Sequence, residues 1–391
     1  MWVGSLQRSH VRSKLFYLLG LLARIRILWS LVYMPFHFLL GHYKIEECAL
    51  ASPRSELVSH KFLFGFKRQM LIWCLLAIYP SISFSQRVEI QHDGHTYIDL
   101  ATVGGGLGMK AYWLSGHKTF RLRSQWTNID IGKGKRLLYI NRIPIYLGFP
   151  TLELNRRLYI SKADYQHVLQ PILTPQVFPE KPLLRRIVID AGHGGVDSGA
   201  KNDTYRIHEK DLTLDVSQRL KFLLERAGYE VIMTRDSDVF IPLERRPQIA
   251  NRERGDLFIS IHFNAADRTT AEGYETFTLT PQYQASSKYS APGKNDNRRY
   301  DGNNQDPWNT LLGYHVQRSL VQTMGGTDRG LKRARFLVLR HLECPGILLE
   351  LGFVSNPETA KKVRSATFRQ SLAQSLFDGI VQYHKRLQRI L

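Results

Sequence analysis

Leu184-Arg-Arg-Ile-Val-Ile-Asp-Ala-Gly-His-Gly-Gly195 is the stretch that decides the fold. Its apolar run, Leu184–Ile189, reads as a buried strand that ends at Asp190 and gives way to a glycine-rich turn. The next periodic segment opens a helix at Glu209 that runs to Ala227. Leu212, Val216, Leu220 and Leu223/Leu224 form its apolar stripe, and Gly228 closes it. Strands follow at Glu230–Thr234, Asp256–His262, Gly273–Leu279, Phe336–Leu339 and Ile347–Leu351. Helices fall near Leu243–Arg252, where Pro247 is awkward, at Asn309–Thr323, and in a last amphipathic stretch, Leu372–Leu387. Strand and helix in alternation predict an α/β domain over 184–391, with a mixed, mostly parallel sheet flanked by helices on both faces.

Upstream the texture changes. Residues 87–173 are short-stranded and glycine-punctuated, which predicts a small β-rich (α+β) domain. Its candidate strands are Arg87–Ile90, Tyr97–Leu100, Thr119–Arg123, Leu137–Ile140 and Leu158–Ile160. A helix is expected over Lys162–Leu169 with Ser161 as N-cap, while Asp93-Gly94 and Gly104-Gly105-Gly106 read as turns. The Phe120-Arg-Leu-Arg-Ser run and the Leu147-Gly-Phe-Pro bend resemble the small stalk domain of copper amine oxidases and of some cell-wall hydrolases. A structural or wall-adhesive role is the expectation there. The proline-containing stretch from Pro171 to Pro182 reads as a semi-rigid linker, centred on 174–183.

Residues 1–86 form a basic leader. Lys67 and Arg68 precede a short apolar segment, 70–85, with a proline break and small residues at Ser83 and Ser85; this is the pattern of a secretory signal with cleavage near Gln86. Translation from Met70, an uncleaved leader that holds the chain at a membrane, and a buried core segment are the alternatives. The Leu15–Leu40 run is interrupted by Arg24 and Arg26, which leaves no uncharged span of about 18–20 residues.

Composition narrows the partners. The 391 residues carry 54 Lys+Arg against 34 Asp+Glu, a net charge of +20 that favours polyanions. No nucleic-acid motif accompanies that charge. The basic runs Lys133–Arg136 and Lys332–Arg335 read as solvated faces, with contact to anionic cell-wall polymers as the second reading. The 3 cysteines, Cys48, Cys74 and Cys344, lack the paired spacing of a zinc ribbon or disulfide framework, so a metal site must come from histidine and carboxylate.

Three such residues stand at element ends: His193 after the first strand, Glu209 at a helix start, and His262 at the end of the Asp256–His262 strand. Ligands bind in open α/β sheets where strands end. Two histidines and one carboxylate leave the fourth zinc position open, which is the arrangement of a hydrolytic site. Glu350 is a lone carboxylate in the apolar run Ile347-Leu-Leu-Glu-Leu-Gly-Phe353, a costly placement that points to use as a general base. His208, His315 and His341 read as surface or satisfied core residues.

Four motifs in order, Ile187-Val-Ile-Asp-Ala-Gly-His-Gly-Gly195, the Glu209 helix, Asp256-Leu-Phe-Ile-Ser-Ile-His-Phe-Asn-Ala265 and Leu349-Glu-Leu-Gly-Phe-Val-Ser-Asn-Pro357, closely resemble the zinc N-acetylmuramoyl-L-alanine amidases of bacterial cell walls. The resemblance covers about 186–391. It implies one zinc ion on His193, Glu209 and His262, catalysis by Glu350, peptidoglycan as substrate and an exported, periplasmic or envelope-associated protein. Arg246 sits where the family carries a structural arginine. Phe263 replaces a smaller residue and is expected to narrow the cleft. The polar loop Tyr283–Pro307 lies where division-associated members carry an occluding helix, and it lacks the apolar stripe such a helix needs. A loop of this kind implies no self-inhibition, or contact with glycan. A non-catalytic wall-binding protein and a zinc peptidase on the same scaffold are the rival readings, because bond choice lives in loops.

Overall fold

A computed structural model describes residues 88–294 and 296–390. The leader 1–86, with its signal-like segment, Cys48 and Cys74, lies outside the described residues, and no helix among those described is long and apolar enough to cross a membrane.

The amino-terminal module begins with β1 (Glu89–His92) and β2 (His95–Asp99), then α1 (Leu100–Gly106). β3 (Lys110–Trp113), β4 (Thr119–Arg123), β5 (Asn128–Gly132), β6 (Leu137–Ile140) and β7 (Ile143–Tyr146) form an antiparallel meander. β8 (Leu152–Leu154) and β9 (Arg157–Ser161) complete a four-stranded sheet of order β1-β2-β9-β8. The expected glycine turn at 104–106 is helical instead. Asp99 caps α1, accepting from the Thr102 amide at 2.8 Å, and Leu100 and Val103 are buried; a cap and packing override weak propensity. Ser161 caps as expected, accepting from the Asp164 amide at 2.9 Å. Here α2 (Lys162–Asp164) continues as a π-helical turn over Tyr165–Leu169 and then as α3 (Gln170–Leu173). Ile172 and Pro175 are buried, and Lys181 Nζ donates to the Ile390 carbonyl at 2.6 Å.

The second part alternates as expected: β10 (Arg186–Ala191), β11 (Lys201–Asn202), β12 (Ile207–His208), α4 (Glu209–Arg226), β13 (Glu230–Met233), α5 (Arg245–Arg252), β14 (Leu257–Asn264), β15 (Tyr274–Leu279), α6 (Asp306–Met324), β16 (Asp328–Ala334), α7 (Leu337–Arg340), β17 (Gly346–Phe353), α8 (Pro357–Val363) and α9 (Ala366–Gln388). β13, β10, β14 and β17 run parallel, β15 is antiparallel to β17, and β16 is parallel to β15. Ile187, Ile189, Leu257, Ile259 and Ile261 face one core with residues of α4, α6 and α9. Val188, Phe258 and Leu348 face another, with Ala250 of α5 and Val338 and Leu339 of α7. That period-two alternation places helices on both faces.

Three expectations are corrected. Phe336–Leu339 is not a strand; α7 occupies Leu337–Arg340, and the strand is β16, just upstream. A four-residue apolar run fits either state, and length alone does not arbitrate. Lys332–Arg335 is not a solvated face, because most of it lies in β16 and Arg333 is 4% exposed. Pro247 does not break its helix, since α5 starts at Arg245 and the proline falls in the first turn, where amides have no intrahelical acceptor.

The two parts share one sheet. β16 pairs with β7 in parallel at Leu331 and Ile145, giving an 11-stranded order β13-β10-β14-β17-β15-β16-β7-β6-β5-β4-β3. Gly330 makes the seam: it adopts φ +84°, and a Cβ there would stand 2.2 Å from the Pro144 carbonyl oxygen. Leu331 and Tyr314 also complete the core of the module.

At the carboxyl end of β10 a buried ion pair closes the structure. Arg246 Nη1 donates to Asp190 Oδ1 at 2.8 Å, and Asp190 also accepts from Thr234 Oγ1 and Ser260 Oγ, each at 2.7 Å. Both charged groups are essentially inaccessible, so removing one strands the other without solvent. Arg246→Met is expected to lower the unfolding free energy by about 3–5 kcal/mol, read from urea titration followed by circular dichroism. An unchanged midpoint contradicts the assignment.

Candidate functional site

The glycine-rich turn after β10 sets the first residue of the site. Arg246 Nη2 donates to the His193 carbonyl at 3.0 Å and its Nη1 to the Ala191 carbonyl at 2.9 Å. Arg235 Nη2 donates to the Gly192 carbonyl at 2.8 Å. These donors hold His193 at φ +61°, a conformation rare for a residue with a Cβ. Gly192 is required beside it, because a Cβ there would lie 2.3 Å from the His262 ring. Asp197 Oδ2 lies 2.8 Å from His193 Nδ1, which turns Nε2 toward the interior of the site.

Glu209 is the first residue of α4, where the helix dipole favours a carboxylate. Its Oε2 accepts from the Ala200 amide at 2.8 Å and its Oε1 from the Phe263 amide at 2.9 Å. His262 lies two residues before the end of β14, on the strand face opposite Ile261 and Phe263. The Phe263 side chain is buried in the core with Ile259 and Ile261, the residue also lines the site cavity, and its amide serves the site.

The structure brings the three candidate ligands together. His193 Nε2 lies 3.1 Å and His262 Nδ1 3.0 Å from Glu209 Oε1, and the two ring nitrogens are 3.2 Å apart. Ligand atoms bonded at about 2.0–2.1 Å to one tetrahedral ion stand roughly 3.3 Å apart. The three atoms fit that spacing, and among the described residues this is the group of histidine and carboxylate side chains that could hold a metal ion. Burial disfavours charge on both histidine and carboxylate, yet here mutual hydrogen bonds and opposite charge win. Burial would lower the His193 pKa, but Glu209 and Asp197 raise it above the ordinary value. Burial would raise Glu209, but His193 and His262 hold it far below the ordinary carboxylate range.

Glu350 lies on β17, in register with His262 of β14 on one side and Glu275 of β15 on the other. It lines a cavity of about 280 Å³ together with His193, Glu209 and His262. Its Oε2 is buried without a hydrogen-bond partner among the described residues. Desolvation, reinforced by the charges of Glu209 and Glu275 and opposed by Lys332, pushes its pKa well above the ordinary value. A partnerless carboxylate that shares a cavity wall with the three candidate ligands suits proton transfer to or from a water there.

Of the sequence-predicted residues, His193, Glu209, His262 and Glu350 converge on this cavity, and Arg246 lies beneath it. His208 and His341 are exposed and His315 is half-buried in α6, all away from the cavity. Sequence reasoning missed Asp197 and Arg235. Asp197 sits four residues after His193 within the same turn, a spacing that could have flagged it. Arg235 carries no local signal, because most of its partners lie far along the chain, at the end of β10 and the start of α4.

Asp197→Ala is expected to weaken divalent-cation affinity by about 10–100-fold, the usual effect of losing a ligand-orienting carboxylate. His262→Ala is expected to abolish divalent-cation binding. Competition against a chelating dye checks both, and an Asp197 variant with unchanged affinity contradicts the orienting role.

Comparison with known proteins adds to this geometry. A family model described as N-acetylmuramoyl-L-alanine amidase matches residues 187–382. The N-acetylmuramoyl-L-alanine amidase LytC of Bacillus subtilis is 32% identical over 199 residues, covering 51% of this chain and 35% of the relative. The N-acetylmuramoyl-L-alanine amidase AmiC of Escherichia coli is 33% identical over 225 residues, 52% of this chain and 53% of the relative. A probable cell wall amidase, LytH of Staphylococcus aureus, is 32% identical over 264 residues, 65% of this chain and 76% of the relative. The match thus spans 35% and 53% of the lengths of the first two.

Proposed function

The chain belongs to the N-acetylmuramoyl-L-alanine amidase family, and from that premise we propose that it is an exported, zinc-dependent peptidoglycan hydrolase acting on the amide between N-acetylmuramic acid and L-alanine. The observation that carries the reading is the convergence of two ring nitrogens and a carboxylate oxygen within 3.2 Å of one another beside the partnerless Glu350 Oε2.

His193 Nε2, Glu209 Oε1 and His262 Nδ1 would hold one zinc ion, with Asp197 fixing the His193 ring. The ion, when bound, supplies Lewis-acid activation of water and of the amide carbonyl. Glu350 takes a proton from the attacking water as its oxygen bonds to the carbonyl carbon. It then delivers that proton to the alanine nitrogen as the C–N bond breaks, and the lactyl carboxylic acid and amine so formed ionise to a carboxylate and an ammonium. Glu350, its pKa raised by burial and by Glu209 and Glu275, would be ionised beside a cation held by the three candidate ligands and so accept the proton. The apolar wall of Leu243, Phe336, Leu337 and Leu348 keeps bulk water from competing for these groups.

The test is digestion of purified peptidoglycan by the full chain, with mass analysis of the products. The reading predicts free stem peptides beginning with alanine, intact glycan, loss of activity with chelator and recovery with zinc. Glu350→Gln is expected to lower kcat by about 10²–10⁴-fold while zinc content stays at one ion per chain. Cleavage within the stem makes the protein a peptidase; intact peptidoglycan despite bound zinc makes it a binding protein.

A further inference from the structure

Next to the candidate metal site lies a second, larger cavity of about 740 Å³. The two share Asn264 and Phe336 as walls, so a chain held at Glu350 can continue from one into the other. Seven lysine and arginine side chains line the larger cavity against two carboxylates, Glu275 and Asp296. Both carboxylates are already engaged. Glu275 is shared by Arg329 and by Lys332, whose Nζ lies 2.9 Å away, and Asp296 pairs with Arg335 at 2.6 Å. Lys288 and Arg298 are exposed and have no carboxylate partner among the described residues. Arg340 lies over the Tyr300 ring at 5.2 Å and donates from Nε to the Arg335 carbonyl, again without a carboxylate partner there. A concave site with this surplus attracts anions, and a guanidinium presents a fork that matches a carboxylate.

The cavity is built across the seam. Tyr146, from β7 of the amino-terminal module, forms part of its wall, with Lys332 Nζ 5.6 Å from the ring centroid. Arg136 of the same module donates from Nη2 to the Ala285 carbonyl at 2.9 Å and from Nη1 to the Tyr289 carbonyl. Those bonds pin the Ser286–Tyr289 segment that supplies another wall.

We propose that this cavity is a subsite for the free carboxylates of the peptide that follows the scissile amide, and that the amino-terminal module completes it. The inference rests on the amidase reading, and chemistry assigns the side. Once the lactyl carboxyl is tied up in the amide, the neighbouring sugars carry no free acid, so the negative charge of the substrate lies on its peptide. The module then contributes the Tyr146 wall and the Arg136 tether to the substrate cleft.

Binding to the zinc-loaded Glu350→Gln chain tests the proposal by calorimetry. The probes are N-acetylmuramoyl-L-alanyl-γ-D-glutamyl-L-lysyl-D-alanine and its counterpart with the glutamyl carboxylate and the terminal carboxylate converted to carboxamides. The acidic probe is expected to bind about tenfold more tightly, with the difference shrinking as salt rises. Adding Arg340→Gln or Arg298→Gln should weaken the acidic probe about fivefold or more and the carboxamide less than twofold; Arg340→Lys should recover part of the loss. Equal binding of the two probes, or weakening of both alike, overturns the subsite. Hydrolysis of peptidoglycan by the unmutated chain without any preference for the acidic probe overturns the subsite and leaves the amidase reading standing. Selective binding with no hydrolysis overturns the amidase reading and leaves an anion site.

Discussion

The buried pair of Arg246 and Asp190 governs the geometry at the end of β10. Asp190 is held by hydroxyls from two neighbouring strands, and Arg246 spends its remaining donors on the carbonyls of Ile241, Ala191 and His193. A turn whose carbonyls are gripped in this way can sustain a histidine at positive φ, which would otherwise relax. From that one imposed conformation follow the direction of the His193 ring, its contact with Asp197, and the meeting of its Nε2 with Glu209 and His262. Arg235 braces the same turn from β13's end. Charge is buried at this point to fix backbone, and the candidate ligands inherit their positions from it.

The same economy appears at the seam between the two parts. A single register position, Leu331 against Ile145, makes the sheets continuous. Around it the buried Arg333 approaches Asp164 at 3.8 Å and donates to the His167 carbonyl, while Arg136 reaches the 285–289 segment. Arg333 of β16 and Arg136 of the amino-terminal module therefore act as ties between the parts, which is why a run that looks solvated in one dimension is interior in three. The consequence for function is that the cavity beside the site has walls from both parts of the chain.

What was legible in the sequence was local. The strand ending at Asp190 and the helix from Glu209 announce themselves through apolar periodicity, and His193 is marked by the glycines around it. Glu350 stood out because a carboxylate in an apolar run needs a reason. The sheet class followed from the alternation of elements. What was not legible depends on partners far along the chain. Arg333 becomes interior through Asp164 and Gln284, and Arg235 through groups at the end of β10 and the start of α4. Leu100–Gly106 is helical through the Asp99 cap and the packing of Leu100 and Val103, against the reading of three glycines. Phe336–Leu339 was ambiguous by length, and the side occupied by Phe263 turned on the strand's extension to Asn264, which a boundary at His262 leaves open.

The central claim is that His193, Glu209 and His262 hold one zinc ion directly beside Glu350. The most direct measurement is a crystal structure of the zinc-loaded full chain with anomalous difference maps recorded on either side of the zinc absorption edge. The account predicts one strong peak at about 2.0–2.2 Å from His193 Nε2, Glu209 Oε1 and His262 Nδ1, with the Glu350 carboxylate facing the open side. A peak bound elsewhere, or one that excludes any of the three, contradicts it.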